Sequence, residues 1–386
     1  MKRTSRFLIK LVVVLFVLLA AIQLFLSFGL APLIRSAVLP GASAEMGAEI
    51  GIGGASADLL GRTHLRDVRF GNPAGFSEPS LLTVGRQDND IALLSLLRGV
   101  VEVSDARMED VVVTVVRNRD GRVNTSEFSK PVGEKPAAPA GKPGTGREQP
   151  KPGQGQYQEP QPAPEPMQPA LLRSMAVDGQ IVYVDHTPAG APLRLAFPTE
   201  IRAENLATFP QPGGQRGKFT LRAHLADNPA AFATDLRGTV EPVSDPNRPT
   251  FDLKGSIARI DFQTVAALAG TSDVQAESAD VQVRVTCRRG VFVAPSEFVV
   301  TLRNISVQGK MARKSRGMPV PKDLVITVPL EGTISEPMMD VESAVIRSLL
   351  ESLASNPDAL IRSLKADEKT GKDIEKGLKS LGDLFK

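Results

Sequence analysis

The stretch "DVQVRVTCRR" (Asp280–Arg289) decides how the rest of the chain is read. Val281, Val283, Val285 and Cys287 alternate with Gln282, Arg284, Thr286 and Arg288. A period of two is that of a β-strand with one apolar and one solvated face, the mark of antiparallel sheet. The same rhythm recurs in "FTLRAHLA", where Leu221, Ala223 and Leu225 oppose Arg222 and His224. In "FDLKGSI", Phe251, Leu253 and Ile257 oppose Asp252, Lys254 and Ser256. Turn chemistry separates such runs at "RDGRVN" (Arg119–Asn124), "VDGQI" (Val177–Ile181) and "RRGVF" (Arg288–Phe292). "MEDVVVTVVRN" is apolar in a block instead, which predicts a strand covered on both sides.

Composition agrees with a mainly β fold. The 386 residues are poor in aromatics, lack Trp and are rich in Gly, Pro and Val. The formal charge is +3, and Lys2, Arg3, Arg6 and Lys10 supply four positives, leaving the body at about −1. A nearly neutral body argues against nucleic acid, whose binders gather basic charge on one face. Cys287 stands alone, so no intrachain disulfide and no cysteine-based metal site can form.

The chain opens on "FLIKLVVVLFVLLAAIQLFLSFGL" (Phe7–Leu30), apolar apart from Lys10 and Gln23. As a helix it spans about 36 Å against a hydrocarbon core of roughly 30 Å. The basic cluster before it points the N-terminus to the cytoplasm. A cleaved signal would have a shorter apolar core and an earlier small-residue site than "GASA" at Gly41–Ala44. The expectation is a retained anchor in residues 1–30, single-pass, with nearly all the chain exported. A β segment follows in 31–128. Residues 129–169 hold eleven prolines and almost no aliphatic residue, as expected of an extended linker. A second β segment covers 170–337. Residues 338–386 carry helical apolar spacing in "VESAVIRSLLESLA" and "DIEKGLKSLGDLFK", read as amphipathic helices. Docking on the protein's own sheet is the commonest fate of such helices, with a membrane surface as the other possibility.

Chemistry is hard to find. His64, His186 and His224 are isolated, with none at a metal-ligand spacing. No GxSxG elbow, SxxK or P-loop is present, and "GIGGAS" (Gly51–Ser56) lacks the ending and spacing of a phosphate loop. Asp88 and Asp90 of "QDND" would share a strand face without the further oxygens of a calcium cage. The sequons at Asn124 and Asn304 are of a kind frequent by chance. The reading is a non-enzyme with neither cofactor nor metal.

One-faced strands must bury their apolar side against a second sheet, helices or a non-protein ligand. "IALLSLLRG" (Ile91–Gly99) and "IDFQTVAALAG" (Ile260–Gly270) could each supply a short covering helix. Periodicity leaves a closed sandwich and an open groove both standing.

The ordered set of motifs is more informative. A strand leads into "FGNPAGF" (Phe70–Phe76), then a strand into "LLSLLRG" (Leu93–Gly99), then strands ending in "RDGRVN". Weaker echoes follow at "MAVDGQIVYVDHT" (Met175–Thr187) and "VPLEGTISEPMMDV" (Val328–Val341). This resembles the AsmA-like family of Gram-negative envelope proteins, densely over about Ala55–Phe128. The resemblance implies an elongated, curved, gutter-like antiparallel sheet with an apolar interior, a few short helices and an inner-membrane anchor, the bulk lying in the periplasm. It implies phospholipid binding or movement, contributing to outer-membrane lipid homeostasis, with membrane phospholipids and other envelope proteins as partners. The "GNPxGF" turn is then architecture rather than a site. Candidate groove residues are Leu221, Ala223, Leu225, Phe251, Leu253, Ile257, Val281, Val283 and Val285. The competing function is a non-catalytic assembly or scaffold factor with a closed β core. The lipid species and the oligomeric state stay open, as does whether the two β segments make one sheet across the Pro-rich insertion.

Overall fold

The alternating stretches become one continuous, open sheet. The computed structural model describes residues 23–46, 48–128, 168–188, 190–260, 274–307 and 322–354. Its strands are β1 (Ile50–Gly51), β2 (Gly54–Ala57), β3 (Arg62–Gly71), β4 (Ser80–Ile91), β5 (Val101–Arg117), β6 (Ala170–Asp185), β7 (Leu193–Ala207) and β8 (Gly217–His224). They continue as β9 (Ala233–Val240), β10 (Phe251–Ile260), β11 (Val274–Gln275), β12 (Ser278–Arg288), β13 (Val291–Arg303), β14 (Ser306–Val307), β15 (Leu324–Gly332) and β16 (Pro337–Met339). Fourteen form a single sheet that runs from β1 to β16 without closing, while β11 and β14 pair separately. At about 4.8 Å between strands the sheet is roughly 60 Å across.

The expectation of a purely antiparallel sheet is corrected at one junction. β5 and β6 pair in parallel, from Val101↔Ala170 to Arg117↔Asp185. The two β segments therefore share one sheet, with the Pro-rich insertion between adjacent strands. A parallel neighbour requires the chain to return to the starting end, here about 55 Å along β5, and hairpin turns cannot do that. "VDGQI" is also no turn. It lies inside β6, and Gly179 is required there because a Cβ would collide with the Val111 carbonyl. The "RRGVF" turn does form, with Arg289 and Gly290 at φ of 51° and 80°.

Register sorts the residues by face. One transverse row on the apolar face runs Ile201↔Leu221↔Leu236↔Gly255↔Val283↔Phe298↔Val328 from β7 to β15. On the opposite face Glu200, Arg222 and Asp235 stand side by side, and Arg222 bridges the two acids at 4.0 and 3.7 Å. Such exposed pairs contribute little stability each, so their effect is mainly to keep this face in water.

Helical residues 23–46 (α1) lie along the β1–β2 edge. Arg35 Nε donates to the Ile52 carbonyl at 2.9 Å, and the Ile50 N–H donates to Ser43 Oγ at 3.0 Å. This covers an edge that would otherwise be free to pair. The other α-helices among the described residues are α2 (Leu93–Leu96), α3 (Asn124–Phe128) and α4 (Val341–Ala354). α4 docks on the apolar face of the protein's own sheet. Ala344 and Val345 pack with Leu324, Ile326 and Val328 of β15, with Val345 only 1% exposed. The expected covering role of "IALLSLLRG" is not fulfilled, because it connects β4 to β5 beyond the sheet end. Leu94 and Leu97 are 77% and 85% exposed. Most of "IDFQTVAALAG", the first part of the expected anchor, residues 129–167 and the last 32 residues lie outside the described residues. No described helix is long and apolar enough to cross a membrane.

The "GNPAGF" turn is held by a polar network. Asn72 Nδ2 donates to the Glu78 carbonyl, and Asn72 Oδ1 accepts from Asn124 Nδ2, both at 2.7 Å. Asn124 also donates to the Thr114 carbonyl at 2.7 Å and accepts from the Val116 N–H at 2.9 Å. These β5 groups lie beyond its last pairing with β4 at Val113, so Asn124 replaces the missing strand. Its side chain is fully buried, which explains the residue without recourse to a glycan.

Candidate functional site

Strands β5 to β10 leave an apolar hollow of about 660 Å³. Val101 and Val103 come from β5, Leu172 and Met175 from β6, Ile201 and Leu206 from β7. Phe219, Val240 and Phe251 extend it over β8, β9 and β10. Gly238, beside Phe219 in register, leaves room for that ring, which a Cβ would strike. The volume falls within the roughly 300–1,000 Å³ of small-molecule sites.

The chemistry of the lining is uniform. Thr208 is its one polar side chain, and that hydroxyl is already occupied. It donates to the Gln168 carbonyl at 3.0 Å and accepts from the Ala170 N–H at 2.8 Å. A polar ligand would lose its water and gain nothing in return. Only apolar matter gains by entering.

Of the candidate groove residues, Phe251 lines the hollow. Leu221, Ala223, Leu253, Ile257 and Val281 continue the same face in register. Val283 and Val285 also share it, but they are 6% and 5% exposed and form a packed cluster with Leu330. They belong to the core rather than to an open surface. Leu225 lies past the end of β8, its N–H directed to the Phe232 carbonyl at 3.3 Å. It is a turn residue and not part of a strand.

The lining from β6 and β7 escaped sequence reasoning because alternation breaks there. Asn205 takes φ of 53°, so Ala203 and Leu206 both reach the hollow although they are three apart. On β6, Leu172 and Met175 show the same spacing. An asparagine within a strand-like run was the available signal, since Asn tolerates this conformation better than most residues.

Polar clusters lie elsewhere. His64 Nδ1 meets Asp88 Oδ1 at 2.6 Å, and Arg86 Nε meets Asp88 Oδ2 at 2.7 Å. Desolvation would raise the Asp88 carboxyl, but the His64 hydrogen bond and the Arg86 charge outweigh it and hold it below the ordinary range. This pairing leaves the Asp88 oxygens engaged, which disfavours a calcium role. Asp185 is fully buried, accepting from the Thr187 N–H at 2.8 Å with Arg117 at 3.8 Å. Burial raises its carboxyl, and the Thr187 hydrogen bonds and the Arg117 charge pull it lower on balance. Among the described residues no group of three or more His, Cys, Asp or Glu is placed to hold a metal ion.

The sequence matches no protein-family model and no curated protein.

Proposed function

We propose that this chain is an AsmA-like, inner-membrane-anchored periplasmic protein that shelters phospholipid acyl chains in the hollow across β5–β10, without catalysis. The observation that carries the reading is the lining, which is apolar except for one threonine whose hydroxyl is satisfied within the protein. Each methylene kept from water there contributes about 0.8 kcal/mol. The hollow lies on an open sheet rather than inside a closed shell, so an acyl chain can enter sideways while its headgroup stays in water. Beyond β10 the same apolar row continues toward β15, but there it is packed rather than open. Outer-membrane lipid homeostasis is the role this suggests, with a gradient or a partner protein supplying any direction of flow.

The test is native extraction of the full chain, gel filtration, and mass spectrometry of the lipid that remains. Stoichiometric phospholipid in the parent, lost in a Leu172→Asn/Ile201→Asn variant that elutes identically, is the expected result. Lipid-free protein, or equal lipid in both, would sink the reading in favour of a scaffold with a packed β body.

A further inference from the structure

At one end of the sheet the turns gather exposed leucines. Leu60 in the β2–β3 turn is 71% exposed, and Leu93, Leu94, Leu96 and Leu97 between β4 and β5 are 42%, 77%, 45% and 85% exposed. The two turns touch, since Ile91 N–H donates to the Gly61 carbonyl at 3.0 Å and a Cβ on Gly61 would lie 3.1 Å from Leu93 Cγ. The patch is held in place from behind. Glu102 accepts from Ser95 Oγ at 2.7 Å and pairs with Arg173, fixing the α2 loop to β5 and β6. The opposite turns, at 72–79, 118–123, 186–192 and 225–232, contribute no large apolar side chain to those the described residues expose.

Three placements say what covers this patch. The first described residue of α1 lies here, with Gln23 Nε2 donating to the Ala57 carbonyl at 3.3 Å and Gln23 Oε1 accepting from the Leu59 N–H at 3.0 Å. The neighbouring Leu24 is 61% exposed. Directly before Gln23 come sixteen residues, Phe7–Ile22, that are apolar except for Lys10. Finally, the hollow reaches this same end, since Val101 and Ala170 open β5 and β6 beside Ile91 and Ala92.

We propose that Leu24, Leu60, Leu93, Leu94, Leu96 and Leu97 form a docking face that enters the headgroup–acyl boundary of the bilayer and seats the mouth of the hollow on it. The proposal rests on the membrane-anchored reading above and extends it. An anchor alone would tether the sheet in any orientation. The leucine face fixes one, with the strands rising from the membrane and the apolar path continuous with the acyl layer. Apolar faces of this kind settle about 5–10 Å into that boundary.

The chain has no tryptophan, so one introduced indole reports its own surroundings. Leu94→Trp, Leu97→Trp and, at the far end, Phe76→Trp are placed separately in the full chain carrying Leu172→Asn/Ile201→Asn, which removes quenching by lipid held in the hollow. Each is reconstituted into vesicles of equal parts phosphatidylcholine and phosphatidylglycerol, with and without brominated acyl chains. All should float with the vesicles. Emission of Leu94→Trp and Leu97→Trp should shift to the blue and fall about two-fold with brominated lipid, and that of Phe76→Trp should not change. Protein that floats with unquenched leucine-site indoles overturns the docking face and leaves the anchor standing. Blue-shifted but unquenched emission means that another segment of the chain or a protein covers the leucines, which also overturns it. Quenching of all three overturns the upright orientation, and failure to float overturns anchor and docking together.

Discussion

The same apolar face of one sheet meets two fates along its length. At β12–β15 it is covered: α4 lies on β15, and Val283, Val285 and Leu330 bury one another. Across β5–β10 it stands open as the 660 Å³ hollow. Both stretches descend from apolar residues spaced to reach one face, and the charged face behind them is alike. What differs is whether another element lies above. Alternation therefore encodes which way a side chain points and carries no information about what it meets.

The largest expected effect breaks the covered half. Val283→Asp puts an unpaired carboxylate into a packed cluster and should cost about 3–5 kcal/mol, read as a lowered urea midpoint with unchanged slope. A variant as stable as the parent would mean that this face is open along its whole length. Next, Val345→Asp should lift α4 from β15 at a cost of about 2–4 kcal/mol. It should also turn the covered half into a surface that binds more of an apolar dye than the parent. Unchanged melting and dye binding would show that α4 contributes no cover.

In the open half the expectation reverses. Leu172→Asn/Ile201→Asn should shift stability by only about 1–2 kcal/mol, because these side chains line a space rather than fill one. Bound lipid should fall several-fold in the same sample. A loss of stability matching that of Val283→Asp would mark the hollow as core.

The smallest effect is a pH dependence carried by carboxylates of β4 and β6, outside the covered half. Asp185 and Asp88 have carboxyls held below their unfolded values, so their contribution is complete above about pH 5, and it is lost as pH falls through the lowered values. The melting temperature should therefore drop in acid. Asp185→Asn should be less stable at neutral pH and show a flatter acid limb. An unaltered limb would assign the dependence to other carboxylates.

Much of this was legible in the sequence. Val281, Val283, Val285 and Cys287 stand on one side as their spacing requires, and "VESAVIRSLLESLA" forms the helix its apolar spacing predicts. Asn72 and Asn124, which stand in the two turn motifs that frame the first segment, bond to one another. The hollow itself was largely hidden. Its lining from β6 and β7 sits where Asn205 at positive φ resets the alternation, and a reader counting by twos steps off the face at that point.

By itself, then, the sequence determined strand character, the polarity of each face and most of the turns, because these follow from local dihedral preferences and from residues two apart. Only the tertiary structure decided that β5 and β6 lie side by side in parallel across the Pro-rich insertion, joining two segments into one sheet. The tertiary structure also decided where that sheet is covered and where it is open. Both depend on residues far apart in the chain finding one another, and the free energy of burial does not care how distant in sequence the burying partner is.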